Sequence, residues 1–142
     1  MYPGRKTAAD TTRKLVHRFY DQFWNAGREE AAPRIVASNA MIRGLLGAAA
    51  PGPQGLVDYA HRLTNAFGDL RMEVQEVIVD RDRAAARITL TGTHRAEALG
   101  CPASGQRVRH EYVALFRTAH GRIVEVTVHG DLGALREQLQ AR

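Results

Sequence analysis

Apolar positions recur at two different periods along the chain, and the change of period divides it into a helical first half and a stranded second half. From Ala9 onward Leu15, Phe19 and Phe23 follow one another at steps of four, with Val16, Tyr20 and Trp24 one position on. That is a broad apolar stripe on one helix, with Asp10 or Thr11 as its N-cap and Gly27 as its stop. A shorter helix is expected over about 28–37, its start set by Pro33. Residues 39–50 read as a short strand and loop, and APGPQG at 50–55 reads as a breaker. A third helix follows, with Leu56, Tyr59, Ala60, Leu63 and Phe67 on one side and Gly68 at its end.

Beyond that point the period is two. Met72, Val74, Val77 and Val79 predict a strand over 71–80 with one shift of phase, and residues 84–94 alternate cleanly. RVRHEYVALFRT (107–118) and RIVEVTVH (122–129) flank the tight turn AHG and form the best hairpin signal. Residues 131–140 close the chain as a helix. Helices first and antiparallel strands afterwards predict an α+β domain with helices stacked on one face of a sheet. One domain over 1–142 is expected, with 1–8 as a loose tail.

Strand parity assigns faces. Val108, His110, Tyr112, Ala114 and Phe116 share one side of the penultimate strand. In the last strand Ile123, Glu125, Thr127 and His129 share one side, continued by Asp131, while Val124, Val126 and Val128 share the other. Both faces mix apolar and polar groups. A cavity lined partly by polar side chains explains this, and so does a second copy pressed on the outer face against the valines.

Bulk properties exclude more than they assign. The composition, 44% apolar and 25% charged, is that of a globular protein, and no apolar run approaches the length of a membrane span. The polar N-terminus carries no signal-like segment, so a cytoplasmic location is expected. The single cysteine, Cys101, suits a turn, and no Cys/His spacing suggests a metal. The net charge of +5 comes from 18 arginines and 2 lysines interleaved with acids, without a basic tract, which argues against a nucleic-acid partner.

Four segments together resemble the SnoaL-like polyketide cyclases of the NTF2-like superfamily: TGTH (91–94), GCPASGQRV (100–108), HGRIVEVTVHGD (120–131) and LREQL (135–139). FYDQFWN (19–25) and FGDLRMEV (67–74) fit the same order, and the resemblance spans about 14–140. It implies a cone-shaped barrel, with N-terminal helices on a curved, mostly antiparallel sheet and a short C-terminal helix. It also implies a homodimer, no cofactor, no metal, and a small hydrophobic polyketide-like substrate. Two positions depart from the pattern. Thr127 stands where the family often has Trp, which changes the pocket wall, and Gly68-Asp69 stands where it often has Pro-Asp.

The activity the resemblance implies is aldol-type ring closure by acid/base catalysis, with Asp131 as the proton carrier. A carbon between carbonyls is already acidic, and a carboxylate within hydrogen-bond reach can take its proton. The pocket then holds the chain so that carbanion meets carbonyl. Such a carboxyl would sit in a partly desolvated hollow. His129 and His110 would orient it or bind a substrate oxygen, or would be hydrogen-bonded structural groups. Phe19, Phe23, Trp24, Tyr59, Leu63, Tyr112 and Thr127 would form the walls. Asp131 also stands where a helix N-cap is favoured, a role compatible with the first. His94 would close a strand end, and Glu125 and Arg87 would pair within the sheet. Isomerisation, epoxide opening or assistance to a hydroxylase on the same scaffold are the alternative chemistries, and a non-catalytic binding or dimerisation module is the alternative class.

Overall fold

The computed structural model describes residues 7–141. The expected tail, 1–8, lies outside these except for Thr7 and Ala8, which open the first helix. Helix α1 (Ala8–Arg18) is capped by Thr7, whose hydroxyl accepts the Asp10 amide while the Asp10 carboxylate accepts the Thr7 amide. Asp10 is thus the returning arm of a capping box, not the cap itself. From Phe19 to Asn25 the helix widens into a π-helix, ended by Ala26 N–H bonding to the Asp21 carbonyl and by Gly27 at φ +67°. The wider turn carries Phe19, Tyr20, Phe23 and Trp24 onto the same side, and the first three are buried. Asn25 then bonds both ways to the Met72 backbone, at 2.6 and 2.9 Å, and fixes the end of the π-helix to the sheet.

A 3₁₀ turn (Glu29–Ala31) and helix α2 (Ala32–Ile35), with Pro33 in its first turn, lead to strands β1 (Val36–Gly44) and β2 (Gly47–Ala48). Helix α3 (Gly52–Ala66) begins inside the expected breaker. Pro53 is tolerated in the first turn, where its missing N–H has no partner to lose. Gly55 is required by contact, because a Cβ there would run into the Ala50 carbonyl. Nor does Gly68 end this helix. Phe67 is already extended, and Asp69-Leu70 form a bulge near the start of β3 (Phe67–Asp80), with Asp69 at φ +53°.

Strands β4 (Arg83–His94), β5 (Arg107–Ala119) and β6 (Arg122–Gly130) complete a six-stranded sheet of order β2-β1-β6-β5-β4-β3. All neighbours are antiparallel except β1 and β6, which run parallel. The hairpin turn between β5 and β6 places His120 at φ +50° and Gly121 at +73°, the conformation two-residue hairpins favour. The helices cover one face of the sheet, and the buried core lies between. Helix α4 (Leu132–Gln140) closes the chain, burying Leu135 and Leu139. This is the α+β architecture of the NTF2-like fold.

Parity holds along β5, where His110, Tyr112, Ala114 and Phe116 are buried and the residues between them face out. It fails along β6. Thr118 pairs with Ile123, yet Arg117 pairs with Glu125, so Val124 is an extra residue and the strand bulges there. The extra residue reverses every face beyond it. Val126 and Val128 turn toward the core, and Glu125, Thr127 and His129 turn outward. The valines therefore do not form an outer apolar stripe.

Candidate active site

Between the π-helix, α3 and the concave face of the sheet lies an apolar slot. Phe19, Tyr20 and Trp24 form one wall, Tyr59 and Leu63 of α3 another, and Met72, Leu90, Tyr112, Val126 and Val128 the sheet side, with Ile42, Gly44 and Leu45 completing it. Its free volume is ≈ 30 Å³, room for about two waters. The aromatic groups meet edge to face, Trp24 on Tyr59 with ring centroids 6.1 Å apart and Phe19 on Phe116 at 5.5 Å. Gly44 has no side chain because the Tyr59 ring occupies that space.

Gly44, Leu45 and Val128 are also walls of a second, shallower groove of ≈ 200 Å³ that includes His129, Gly130 and Leu132. Slot and groove therefore meet at these three residues, and the end of β6 forms their common rim. Asp131 follows directly. Its carboxylate is exposed, and Oδ1 accepts the Ala134 amide at 3.0 Å as the N-cap of α4. The expected desolvated hollow around it is absent: the carboxylate stands at the rim, because the chain leaves the sheet at Gly130 and turns into α4 on the surface. His129 is likewise exposed and shares the outward side with its register partner Val113.

His110 is the member of the predicted trio that is buried. Its Nε2 has no hydrogen-bond partner and lies 2.9 Å from where a Cβ of Gly130 would be, so only glycine fits beside it. Its ring stacks on Tyr112 at 6.1 Å. Desolvation holds the imidazole below its ordinary basicity, and the nearby Asp131 carboxylate opposes that shift. Backbone register (Tyr112 opposite Gly130) thus brings His110, Tyr112 and Asp131 together around the end of β6, and of the three Tyr112 lines the slot.

Of the predicted walls, Phe19, Trp24, Tyr59, Leu63 and Tyr112 line the slot. Phe23 does not; it is buried behind Trp24, with ring centroids 5.3 Å apart. Thr127 lies on the outer face, in a groove with Ile78, Leu115, Arg117 and Glu125, because the bulge at Val124 turned it there. Parity without the bulge missed Val126 and Val128 for the same reason. Tyr20 was legible as a stripe residue but not as a wall. Its hydroxyl lies near that of Tyr112, which donates to Met72 Sδ at 3.4 Å. Burial raises the pKa of both phenols, so both stay protonated.

Other marked residues have structural surroundings. His94 is fully buried at the end of β4, its Nδ1 2.8 Å from the Ser104 hydroxyl, and it closes the 95–106 loop as expected. Cys101 is buried in that loop. Arg87 pairs with Glu76 and Glu111, and Glu125 pairs with Arg117, so Arg87 and Glu125 do not pair with each other. Among the described residues no group of three or more His, Cys, Asp or Glu side chains is disposed to hold a metal ion. No helix among them is long and apolar enough to cross a membrane.

Comparison with known proteins agrees with this fold. The family model of SnoaL-like polyketide cyclases matches residues 14–139. A candidate SnoaL-like polyketide cyclase from Jannaschia sp. CCS1 superposes with a TM-score of 0.85 at 25% identity, over 99% of each chain. IdmH, a candidate polyketide cyclase from Streptomyces antibioticus, gives 0.75 at 26% identity over 92% of this chain and 99% of its own. TsrD from Streptomyces laurentii gives 0.81 at 24% identity, over 93% and 96%. No curated protein matches the chain.

Proposed function

The chain belongs to the SnoaL-like polyketide cyclase family, and from that premise we propose that it is a cofactor-independent cyclase-type enzyme acting on a small, hydrophobic, polyketide-like molecule. The observation that carries this reading is the junction of an apolar slot with a rim where Asp131 stands, with His110 buried beside Gly130. A flat apolar substrate enters the slot, and its reacting carbon stays at the rim. The Asp131 carboxylate removes a proton from a carbon flanked by carbonyls. The electron pair moves into the enolate and from there forms the new carbon–carbon bond to a carbonyl carbon held nearby. That carbonyl oxygen becomes an alkoxide and takes the proton back from the carboxyl group. Oδ1 remains in the helix cap, which fixes the carboxylate's orientation and leaves Oδ2 for the proton. His110, with a buried and unpartnered Nε2, packs beside Gly130 and against Tyr112.

Two copies are inferred to associate through the outer face of the sheet, where Val113, Leu115 and Ile78 are exposed among arginines and glutamates of alternating sign. The second reading is a non-catalytic ligand-binding module. Two observations favour it: the slot is small as it stands, and Asp131 is exposed and already engaged as a cap.

Asn and Asp cap helices about equally well, whereas Ala does not cap. Asp131→Asn is therefore expected to abolish ring closure with Tm nearly unchanged. Asp131→Ala is expected to lose activity and also ~1 kcal/mol of stability. Turnover retained in Asp131→Asn reduces the carboxylate to a cap and leaves the binding module. The assay is ring closure of a linear polyketone, followed by absorbance and by thermal melts of the same samples.

A further inference from the structure

The slot contains a buried hydroxyl that donates to a poor acceptor. Tyr20 and Tyr112 are 1% and 6% exposed, and their hydroxyls are near neighbours. Tyr112 then directs its own hydrogen to Met72 Sδ at 3.4 Å. A thioether is a weak acceptor. A buried phenol usually finds an oxygen or nitrogen, so this donor is held in reserve.

The sulfur is also the part of the wall best able to leave. Met72 is the one unbranched, flexible side chain lining the slot, and methionine repacks readily. Its backbone does not have to move with it, because Asn25 holds the Met72 N–H and carbonyl. The free volume of ≈ 30 Å³ is too small for a ring system, so a ligand must displace something, and Met72 is the side chain that can swing away.

We propose that an acceptor oxygen of the substrate replaces Met72 Sδ, so that Tyr112 donates a hydrogen bond to a ketone or enolate oxygen inside the slot, with Tyr20 as the positioning residue beside it. This deepens the proposed function and rests on its reading of the slot as the substrate site. It selects a ring system that is uncharged when it binds and carries a carbonyl within reach of Tyr112. A carboxylate in that place would meet phenols and no cation among the slot's walls. When the rim base removes its proton, the electron pair arrives on the oxygen that Tyr112 already holds, where a preorganised donor is most effective.

The test uses the full chain with 1-tetralone and its carbonyl-free analogue tetralin as probes. Wild type is expected to bind tetralone about tenfold more tightly, as one good hydrogen bond allows, and to lower the carbonyl stretching frequency of the bound ketone in the infrared. Tyr112→Phe should remove both the preference and the shift, and Tyr20→Phe should reduce them. Met72→Leu, which removes the sulfur and keeps the bulk, should retain them. The proposal is overturned if wild type binds the two probes equally or binds neither. It is equally overturned if Tyr112→Phe, checked for folding by near-ultraviolet circular dichroism, keeps the shift. Should Tyr112→Phe not fold, an undiminished shift in Tyr20→Phe, or a lost one in Met72→Leu, overturns it. Asp131→Asn separates the two readings. Full turnover in that variant with the tetralone preference intact removes the acid/base assignment only, and the opposite pattern removes only the Tyr112 donor.

Discussion

At the scale of single residues the site turns on His110, the buried imidazole between Tyr112 and the end of β6. Desolvation lowers its pKa from the ordinary 6.5, and the Asp131 carboxylate partly offsets this. With the folded pKa below the unfolded one, the unfolded chain binds more protons at pH values between the two. Stability from this group is therefore complete above 6.5 and is lost as pH falls through the folded pKa. NMR titration of the His110 ring proton is expected to give a midpoint below 6.5, moving lower still in Asp131→Asn once the opposing charge is gone. His110→Gln should flatten this part of the stability profile. A midpoint at or above 6.5 in the wild type contradicts the assignment. Residue types were the most legible part of the site. The sequence alone marked His110, Tyr112 and Asp131, because parity in β5 is unbroken and HGD stands at a strand–helix junction. It did not reveal that Asp131 stands at the rim, because exposure depends on how α4 leaves the sheet.

At the scale of elements, positions depend on devices that local periodicity expresses weakly. One inserted residue, Val124, reverses the faces of the rest of β6, which is why Thr127 left the pocket and Val126 and Val128 entered it. The π-helix left a fainter trace. The run of pure four-residue steps from Leu15 to Phe23 and from Val16 to Trp24 exceeds the 3.6 of an α-helix and was a signal for a wider turn. Helix α4 is held by another such device. β6 pairs with β5 only as far as Tyr112, and beyond it the Gln138 side chain takes the place of a strand, accepting the Arg109 amide at 2.9 Å and donating to the Arg109 carbonyl at 2.7 Å. Losing two such bonds costs ~1–2 kcal/mol. Gln138→Ala should lower Tm by several degrees and speed hydrogen exchange at the Arg109 amide, while exchange in β3 and β4 is unchanged. An Arg109 amide that stays protected would mean that α4 is held by Leu135 and Leu139 alone. Because this helix carries Asp131 at its N-terminus, activity should fall together with the protection.

At the scale of the whole molecule, the order of helices and strands was sufficient for the fold class, but the closing geometry was not local. The parallel pairing of β1 with β6 joins residues about 85 positions apart, and nothing in either segment alone announces it. The same holds for the outer face of the sheet. The bulge removed the valine stripe expected there, yet Leu115 at 46% exposed, Val113 at 37% and Ile78 at 61% remain beside a groove of ≈ 320 Å³. The ion pairs on this face, Arg87 with Glu76 and Glu111 and Arg117 with Glu125, are half exposed, so each contributes little in water. They nevertheless present both signs side by side, and a second copy turned through a two-fold axis can meet each arginine with a glutamate while covering the leucine. Sedimentation of the wild type is then expected to give twice the 15.7 kDa chain mass. Leu115→Glu should give a monomer, since it adds a fourth carboxylate to the Glu76, Glu111 and Glu125 set and removes the apolar contact at the centre. Leu115 faces away from the slot, so the monomer should still bind tetralone as the wild type does. A wild type that sediments as a monomer at all concentrations removes the dimer, whereas a Leu115→Glu dimer moves the interface to another surface.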